Sequence, residues 1–492
     1  MSAIETLKPY LEALRKVHRL GSTVGFDMMT VCPGKEKPAV AEAMTYLQEL
    51  ADKAIFQDEG FYKALKGIDL DSLGRIDQVL VKRYLDEIEF RRKSPAEKRK
   101  EWAKAYAESS VAWERAYHAN DYSLYAPYLE KTLQAAKEEA SYRQKEGETL
   151  YEVCLRKSDE GLKVKDLDAV FSKLADFIKE KLKQVEKTPA TLNYVVVPKL
   201  SIEEQKKATS LILDCIGYDK TRGTVAMSTH PFSDFLGKDD ARLTNRYDAD
   251  DWRSSAFTAF HEGGHCLEFQ GWTEEEYGHY VDGMASTAIC ETHSRLFENL
   301  LARDRLFVPN LMKILAKAQG KGAFDMSEAD FYRHINKVCP SFIRTEADEL
   351  TYTLHIVIRY IVEKEMIDGN LNVYDAKERW NDLYEHYLGI RPASDKEGIL
   401  QDVHWSDGSF GYFPSYALGN LYGAMLLEEV RKRIDVDSAL RSGRLYLVKD
   451  CLNQIDVPYD YLPGPEWIKK VTGKELSADA FISYIDKKYP II

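Results

Sequence analysis

The sequence predicts a mainly α-helical protein with one small β-sheet beside a helix that carries paired histidines. Three observations carry this. Apolar residues recur at helical spacing through the first two hundred residues and again after residue 284. Strand character is confined to two short stretches, 224–229 and 242–247. Just after them stands His261-Glu262-Gly263-Gly264-His265, whose histidines, four apart, share one face of a helix.

Taken in order, helices are expected near 3–20 and 38–56. Ile76, Val79, Leu80, Tyr84 and Ile88 mark one apolar face. Further helices follow near 97–118 and 122–156. Leu167, Val170, Phe171, Leu174 and Ile178 mark another face, and a helix near 201–216 closes this half. Runs of Lys, Arg and Glu on the opposite faces read as solvated surface. Tyr117, Tyr122, Tyr125 and Tyr128 read as ordinary packing. The two strand stretches bracket a turn-rich segment, and a sheet there could offer an edge to an extended peptide. Asp250 or Asp251 is the expected N-cap of the helix that carries the histidines. A second helix, Met284 to Arg303, brings Glu291. Later helices are expected at 308–319, 327–337, 345–367, 374–388, 416–436 and 477–488, with Gly398–Pro414 a loop rich in polar and aromatic groups.

The 492 residues are 44% hydrophobic and 30% charged, enough for a large core. No Pro/Gly/Ser-rich linker, repeat or low-complexity stretch divides them. One domain over 1–492 is expected, with two lobes around a cleft: a helical half, about 1–220, and a motif-bearing half, about 221–492. The net charge of −12 argues against nucleic acid and anionic membranes as partners. Seven scattered cysteines form neither a disulfide framework nor a C-x-x-C metal cluster, which fits reduced thiols in a cytoplasmic compartment. A signal peptide and a membrane-spanning apolar stretch are not evident.

The chemistry rests on the His261–His265 pair. Two such imidazoles can hold one zinc ion at about 2.0–2.1 Å, with a carboxylate from elsewhere as third ligand and the fourth position open. Glu291 is the expected third ligand. Glu262, beside the first histidine, is placed to take a proton from water. The chain is therefore expected to be a hydrolase acting on peptide bonds. Nine of the eleven histidines fall between His230 and His404, which concentrates the chemistry there. Gly263 and Gly264 each cost about 1 kcal/mol in a helix interior relative to alanine. Their presence makes sense where another backbone or the substrate passes close.

Five further segments sharpen this. His230-Pro231-Phe232, Asp240-Ala241-Arg242-Leu243-Thr244, Cys290-Glu291-Thr292-His293, Ile343-Arg344-Thr345-Glu346-Ala347-Asp348 and Gly398-Ile399-Leu400-Gln401-Asp402-Val403-His404-Trp405 resemble, in order, the motifs of the M32 metallocarboxypeptidases, the carboxypeptidase Taq-like enzymes. The resemblance implies a helical two-lobed zincin with a deep central cleft, similar to neurolysin and angiotensin-converting-type enzymes. It implies a homodimer that releases C-terminal residues from peptides with broad specificity, poorly at proline. It also implies one zinc ion per chain, which cobalt could replace. The sequence departs from the family at the zinc-glutamate motif, usually His-Glu-Ser followed by Gln or Gly, where Cys290, Thr292 and His293 stand. Two residues along a helix is about 200° of rotation, so His293 should face away from a metal held by Glu291. Glu298, two turns on, reads as a surface group or one supporting the ligands.

A C-terminal exopeptidase must recognise a free carboxylate, and arginine presents a planar fork for it. Arg344 is the candidate, against the alternative of a helical ion pair with Asp348. His404, Tyr412 and Tyr416 are candidates for donors to the oxyanion or the substrate backbone. His230, held extended by the following proline, is expected to line the cleft or to be structural. Arg242 is a candidate substrate contact or a hairpin-stabilising partner of Asp240. Two competing readings, an internal-cutting oligopeptidase and a non-catalytic scaffold with a decayed metal site, share the same fold.

Overall fold

The computed structural model describes residues 3–185 and 197–490. The N-terminal half is helical: α1 (Lys8–Thr30), α2 (Lys37–Ala51), α3 (Glu59–Lys66), α4 (Arg75–Lys93), α5 (Ala96–Ala119), α6 (Ala126–Arg143), α7 (Leu150–Ser158), α8 (Val164–Val185) and α9 (Ile202–Ile216). The expected helix near 3–20 instead runs through Gly21 and Gly25 to Thr30. Burial of Phe26 against Phe232, ring centroids 5.5 Å apart, offsets those glycines. The expected helix 122–156 breaks in two. Gly147 takes a positive φ of 80°, and Thr149 with Glu152 forms a capping box that starts α7 afresh.

Three short strands follow: β1 (Val225–Met227), β2 (Ser233–Gly237) and β3 (Asp240–Asn245), in spatial order β1-β3-β2. β1 runs parallel to β3, with Val225 opposite Leu243; β2 is antiparallel to it, with Phe235 opposite Ala241. The sequence reading places β1 and β3 but takes β2 for turn. Ser233-Asp234-Phe235-Leu236-Gly237 has no β-branched residue, and its place is set by neighbours: α1 lies on it, with His18 stacked on Phe235 at 4.7 Å.

The remaining chain is again helical: α10 (Trp252–Gly271), α11 (Glu274–Gly278), α12 (Thr287–Arg295), α13 (Val308–Ala318), α14 (Glu328–Ile335), α15 (Glu349–Asp368), α16 (Ala376–Leu388), α17 (Pro414–Arg431), α18 (Val436–Ser442), α19 (Tyr446–Ile455), α20 (Gly464–Thr472) and α21 (Asp479–Lys488). Asp251 is the N-cap of α10, its carboxylate accepting from the Arg253 amide. The short helices α3, α11, α18, α19 and α20 fall where no periodic stretch is long enough to announce them.

One large cluster of buried apolar side chains extends from Leu7 to Tyr489. Within it α10 packs on β2, β3, α9 and α12, and α12 packs along α17. On the other side, α15 packs on α7, α8 and α16, and the turn at His404–Asp407 packs on α5 and α6. α12 is thus clamped between α10 and α17, and glycines set both crossings. A Cβ added at Gly264 of α10 would lie 2.7 Å from the His293 carbonyl oxygen, and one at Gly419 of α17 would lie 2.7 Å from Glu291 Cβ. A passing backbone therefore explains Gly264 and Gly419, whereas at Gly263 a Cβ would meet side chains of α9, with Ile216 Cδ1 at 2.6 Å. Asp159, buried, accepts from the Ala288 amide at 2.9 Å and from the Ser415 hydroxyl, tying the start of α12 to the start of α17.

Candidate active site

α10 presents His261 and His265 on one face, with ring centroids 5.1 Å apart and planes nearly perpendicular. α12 brings Glu291 to them, with Oε2 at 3.9 Å from His261 Nε2. One ligand atom from each of the three lies within 4.8 Å of the others. The donor set is two imidazole nitrogens and one carboxylate oxygen, the composition of a catalytic divalent-metal site with room for a further ligand.

Protonation suits that role. Burial pushes the His265 imidazole down to about 3, so it is neutral with a lone pair free. Burial opposes ionisation of Glu291, but His261 and Arg295 outweigh it and hold the carboxyl below its ordinary value. His261 stands between two carboxylates. Its Nδ1 is 2.9 Å from Glu298 Oε2, and although burial opposes a charge on the ring, that bond and Glu291 raise its pKa. The field at its Nε2 therefore favours positive charge, which a bound cation would supply in place of a proton. The residues present fit a divalent metal.

Glu298 is thus no surface group. It lies in a π-helical turn, Leu296–Leu301, that continues α12, and Arg295 and Arg303 flank it at 3.3 and 3.4 Å. A spacing of seven residues returns a helix to nearly the same face, within about 20°. That spacing from Glu291 is the signal that finds Glu298 in the sequence. His293 turns to a different set of partners, as its rotation predicts: its Nδ1 is 3.3 Å from Glu268 and its Nε2 2.8 Å from Asp456, all three buried. Cys290 Sγ also reaches Glu268, at 3.5 Å. Of the departures from the family motif, Cys290 and His293 therefore pack behind the site.

Glu262 is buried beside the ligands, and burial raises its pKa. His404, Tyr412 and Tyr416 form a cluster of their own, and Glu291 acts electrostatically on both tyrosines. His404 Nε2 is 3.3 Å from the Tyr416 hydroxyl, and the two tyrosine rings are 5.4 Å apart. Burial lowers His404 to about 4, against the pull of Asp402, so its ring is neutral at physiological pH. Arg344 is buried, and it does not pair with Asp348, which instead caps α15 by accepting from the amides of Leu350 and Thr351. Arg344 Nε and Nη2 both bond to Asp402 Oδ1, at 3.0 and 2.9 Å, while Arg359 holds Oδ2 at 2.6 Å through its Nε. Two guanidiniums thus share one carboxylate. A third, Arg295, meets Arg344 at the hydroxyl of Tyr352.

Two expected substrate contacts are not brought to this cluster. Arg242 is bound bidentately by Asp240 at 2.8 and 2.7 Å, the hairpin partnership that the sequence allowed. His230 is exposed between β1 and β2, and only its carbonyl is engaged, by the Ser228 hydroxyl at 2.7 Å. The supporting residues Asp402, Arg295 and Tyr352 escape the sequence reading. Asp402 stands in a motif segment with no partner apparent, because Arg344 and Arg359 are 58 and 43 residues away.

A helical frame that sets two histidines, a glutamate and a buried second glutamate around one point defines a metal-dependent hydrolase. The comparisons carry this further. Residues 6–489 match the model of the carboxypeptidase Taq (M32) metallopeptidase family, and the chain belongs to that family. It is 37% identical over 406 residues to carboxypeptidase 1 of Bacillus subtilis, covering 82% of this chain and 81% of that one. It is 31% identical to thermostable carboxypeptidase 1 of Pyrococcus furiosus, covering 99% and 98%. The solved structure of metallocarboxypeptidase 1 of Trypanosoma cruzi superposes with a TM-score of 0.94 at 26% identity, covering both chains entirely. The protein is a metallocarboxypeptidase with peptide substrates, and the expected mainly helical fold with one small sheet is the fold observed.

Proposed function

We propose that this carboxypeptidase is a zinc enzyme in which His261, His265 and Glu291 hold the metal and Glu262 is the general base. The convergence of three ligand atoms within 4.8 Å, with the Glu262 carboxyl buried alongside, carries this reading. When bound, a divalent metal supplies Lewis acidity toward a carbonyl oxygen and toward water. Glu262 accepts a proton from water at a carboxylate oxygen and later delivers it to the leaving amine. Burial, by raising its pKa, makes it a better acceptor than an exposed carboxylate. His404, Tyr412 and Tyr416 donate to the oxyanion and the substrate backbone; such a donor contributes about 3–4 kcal/mol in the transition state. Arg344 receives the C-terminal carboxylate. Its anchor Asp402 is shared with Arg359, which leaves one positive charge uncompensated where a carboxylate would sit. His230 and Arg242 lie outside this cluster and would touch only more distant parts of a peptide.

The chain acts as one catalytic unit, and the family resemblance supports a homodimer. All seven cysteines are free, which fits a reducing cytoplasmic compartment. No helix among the described residues is long and apolar enough to cross a membrane. The test is a digest of a peptide and of its C-terminally amidated twin, read by mass spectrometry on enzyme whose metal content has been measured. A ladder from the C-terminus of the free acid alone, about one zinc per chain, and loss of activity to a chelator are expected. Equal cleavage of the amide would mean an internal-cutting oligopeptidase. Size-exclusion chromatography with light scattering measures the dimer.

A further inference from the structure

Tyr352, in the first turn of α15, sits between two arginines. Its hydroxyl oxygen accepts from Arg295 Nη2 at 2.9 Å and from Arg344 Nη1 at 3.2 Å. A guanidinium has only donors, so neither partner can take the phenol's own proton. No described residue accepts it. The O–H must therefore point away from both arginines, toward whatever occupies the space beside them.

The surroundings are fixed. Asp402 anchors Arg344. Arg295 lies over the Tyr352 ring, 4.5 Å from its centroid, and bonds to Glu298 at 3.3 Å. Arg295 Nε has no hydrogen-bond partner and lies 3.6 Å from Glu291 Oε2. On the other side, the Arg344 guanidinium lies 4.8 Å from the Tyr416 ring centroid, and Tyr416 in turn meets His404. Tyr352 and its two arginines thus join the ligand Glu291 to the Tyr416–His404 pair. A phenol proton without an acceptor among the described residues, beside two guanidiniums, suits an anion: one oxygen can take the O–H while another takes N–H groups of the arginines.

We propose that Tyr352 is a substrate-binding residue whose O–H donates to the free C-terminal carboxylate of the peptide, alongside the remaining N–H groups of Arg344 and Arg295. This rests on the reading of Arg344 as the carboxylate site. It adds the neutral donor that positions one carboxylate oxygen, and it gives Arg295 a second use beyond steadying Glu291 and Glu298.

The test is Tyr352→Phe in the metal-loaded enzyme, assayed on a peptide acid and its C-terminal amide, with inhibition by an N-acyl amino acid and by its amide. Phenylalanine keeps the ring under Arg295. KM for the acid, and the inhibition constant of the N-acyl amino acid, should rise about ten- to hundredfold, the effect of losing one hydrogen bond to a charged group. The change in kcat should be far smaller, and inhibition by the amide should not move. Arg295→Lys, which keeps the charge but loses the fork, should reduce the same acid-over-amide preference. That gives a second reading if the phenylalanine variant loses its metal. If the wild type takes acid and amide alike, the carboxylate reading of Arg344 falls and this proposal with it. If the wild type discriminates and both variants keep its full preference, or lose acid and amide binding equally, only the role of Tyr352 is overturned.

Discussion

Gly264 of α10 and His293 of α12 meet where the two helices cross, so closely that a Cβ on Gly264 would stand 2.7 Å from the His293 carbonyl oxygen. The contact fixes how far α12 lies from α10, and so how far Glu291 lies from the two histidines. Gly264→Ala should force the helices apart. It should cost about 1–3 kcal/mol by overpacking and weaken metal binding as well. Thermal unfolding of the metal-free protein and a metal titration measure the two effects separately; an alanine variant with unchanged metal affinity would show that the crossing has slack.

Glu298 accepts from His261 Nδ1 and so leaves Nε2 to face Glu291. Its carboxyl is held well below its ordinary value; burial works against this, but the His261 bond and Arg295 outweigh it. Glu298→Gln keeps the shape and removes the charge. Metal affinity should fall roughly 10- to 100-fold. Competition with a chelator of known strength reads this directly, and an unchanged constant would remove Glu298 from the support of the site.

Glu262→Gln should bind metal as the wild type does while kcat falls about 10²–10⁴-fold, the range for losing a general acid–base. Metal analysis beside steady-state kinetics separates the two. Retained turnover would exclude Glu262 as the base.

Glu363 gives a pH dependence of stability. This buried carboxyl on α15 accepts from the Tyr151 hydroxyl at 2.5 Å and from Trp405 Nε1 at 3.1 Å, the latter next to His404. Burial pushes its pKa up to about 7 from an ordinary 4.5, against those hydrogen bonds. The folded state therefore holds this proton more tightly than the unfolded one. The contribution to stability is fully present below about pH 4.5 and is lost as pH rises to about 7, a change of about 3 kcal/mol at most. Melting midpoints measured from pH 4.5 to 8 should fall more steeply in the wild type than in Glu363→Gln. Parallel slopes would mean that Glu363 does not titrate in this window.

The histidine pair, Glu262 and the helical character of the chain are legible in the sequence because they depend on local spacing. Four residues along a helix put His261 and His265 on one face whatever surrounds them, and the same arithmetic turns His293 away from Glu291. Glu298 obeys that arithmetic too, but its importance depends on where α10 lies. Other features have no local signature. β2 exists because α1 covers it, and Tyr352 matters because Arg295 and Arg344, from separate elements, both reach its hydroxyl. Spacing alone allows Arg344 to pair with Asp348, yet the capping of α15 takes Asp348 and leaves Arg344 to Asp402. The sequence by itself determined the helix face that His261 and His265 share and the place of Glu262 beside it, since helical geometry is a short-range property. Only the tertiary structure decided which charges meet, since a buried charge pairs with whichever group the packed helices bring within reach, at any distance along the chain.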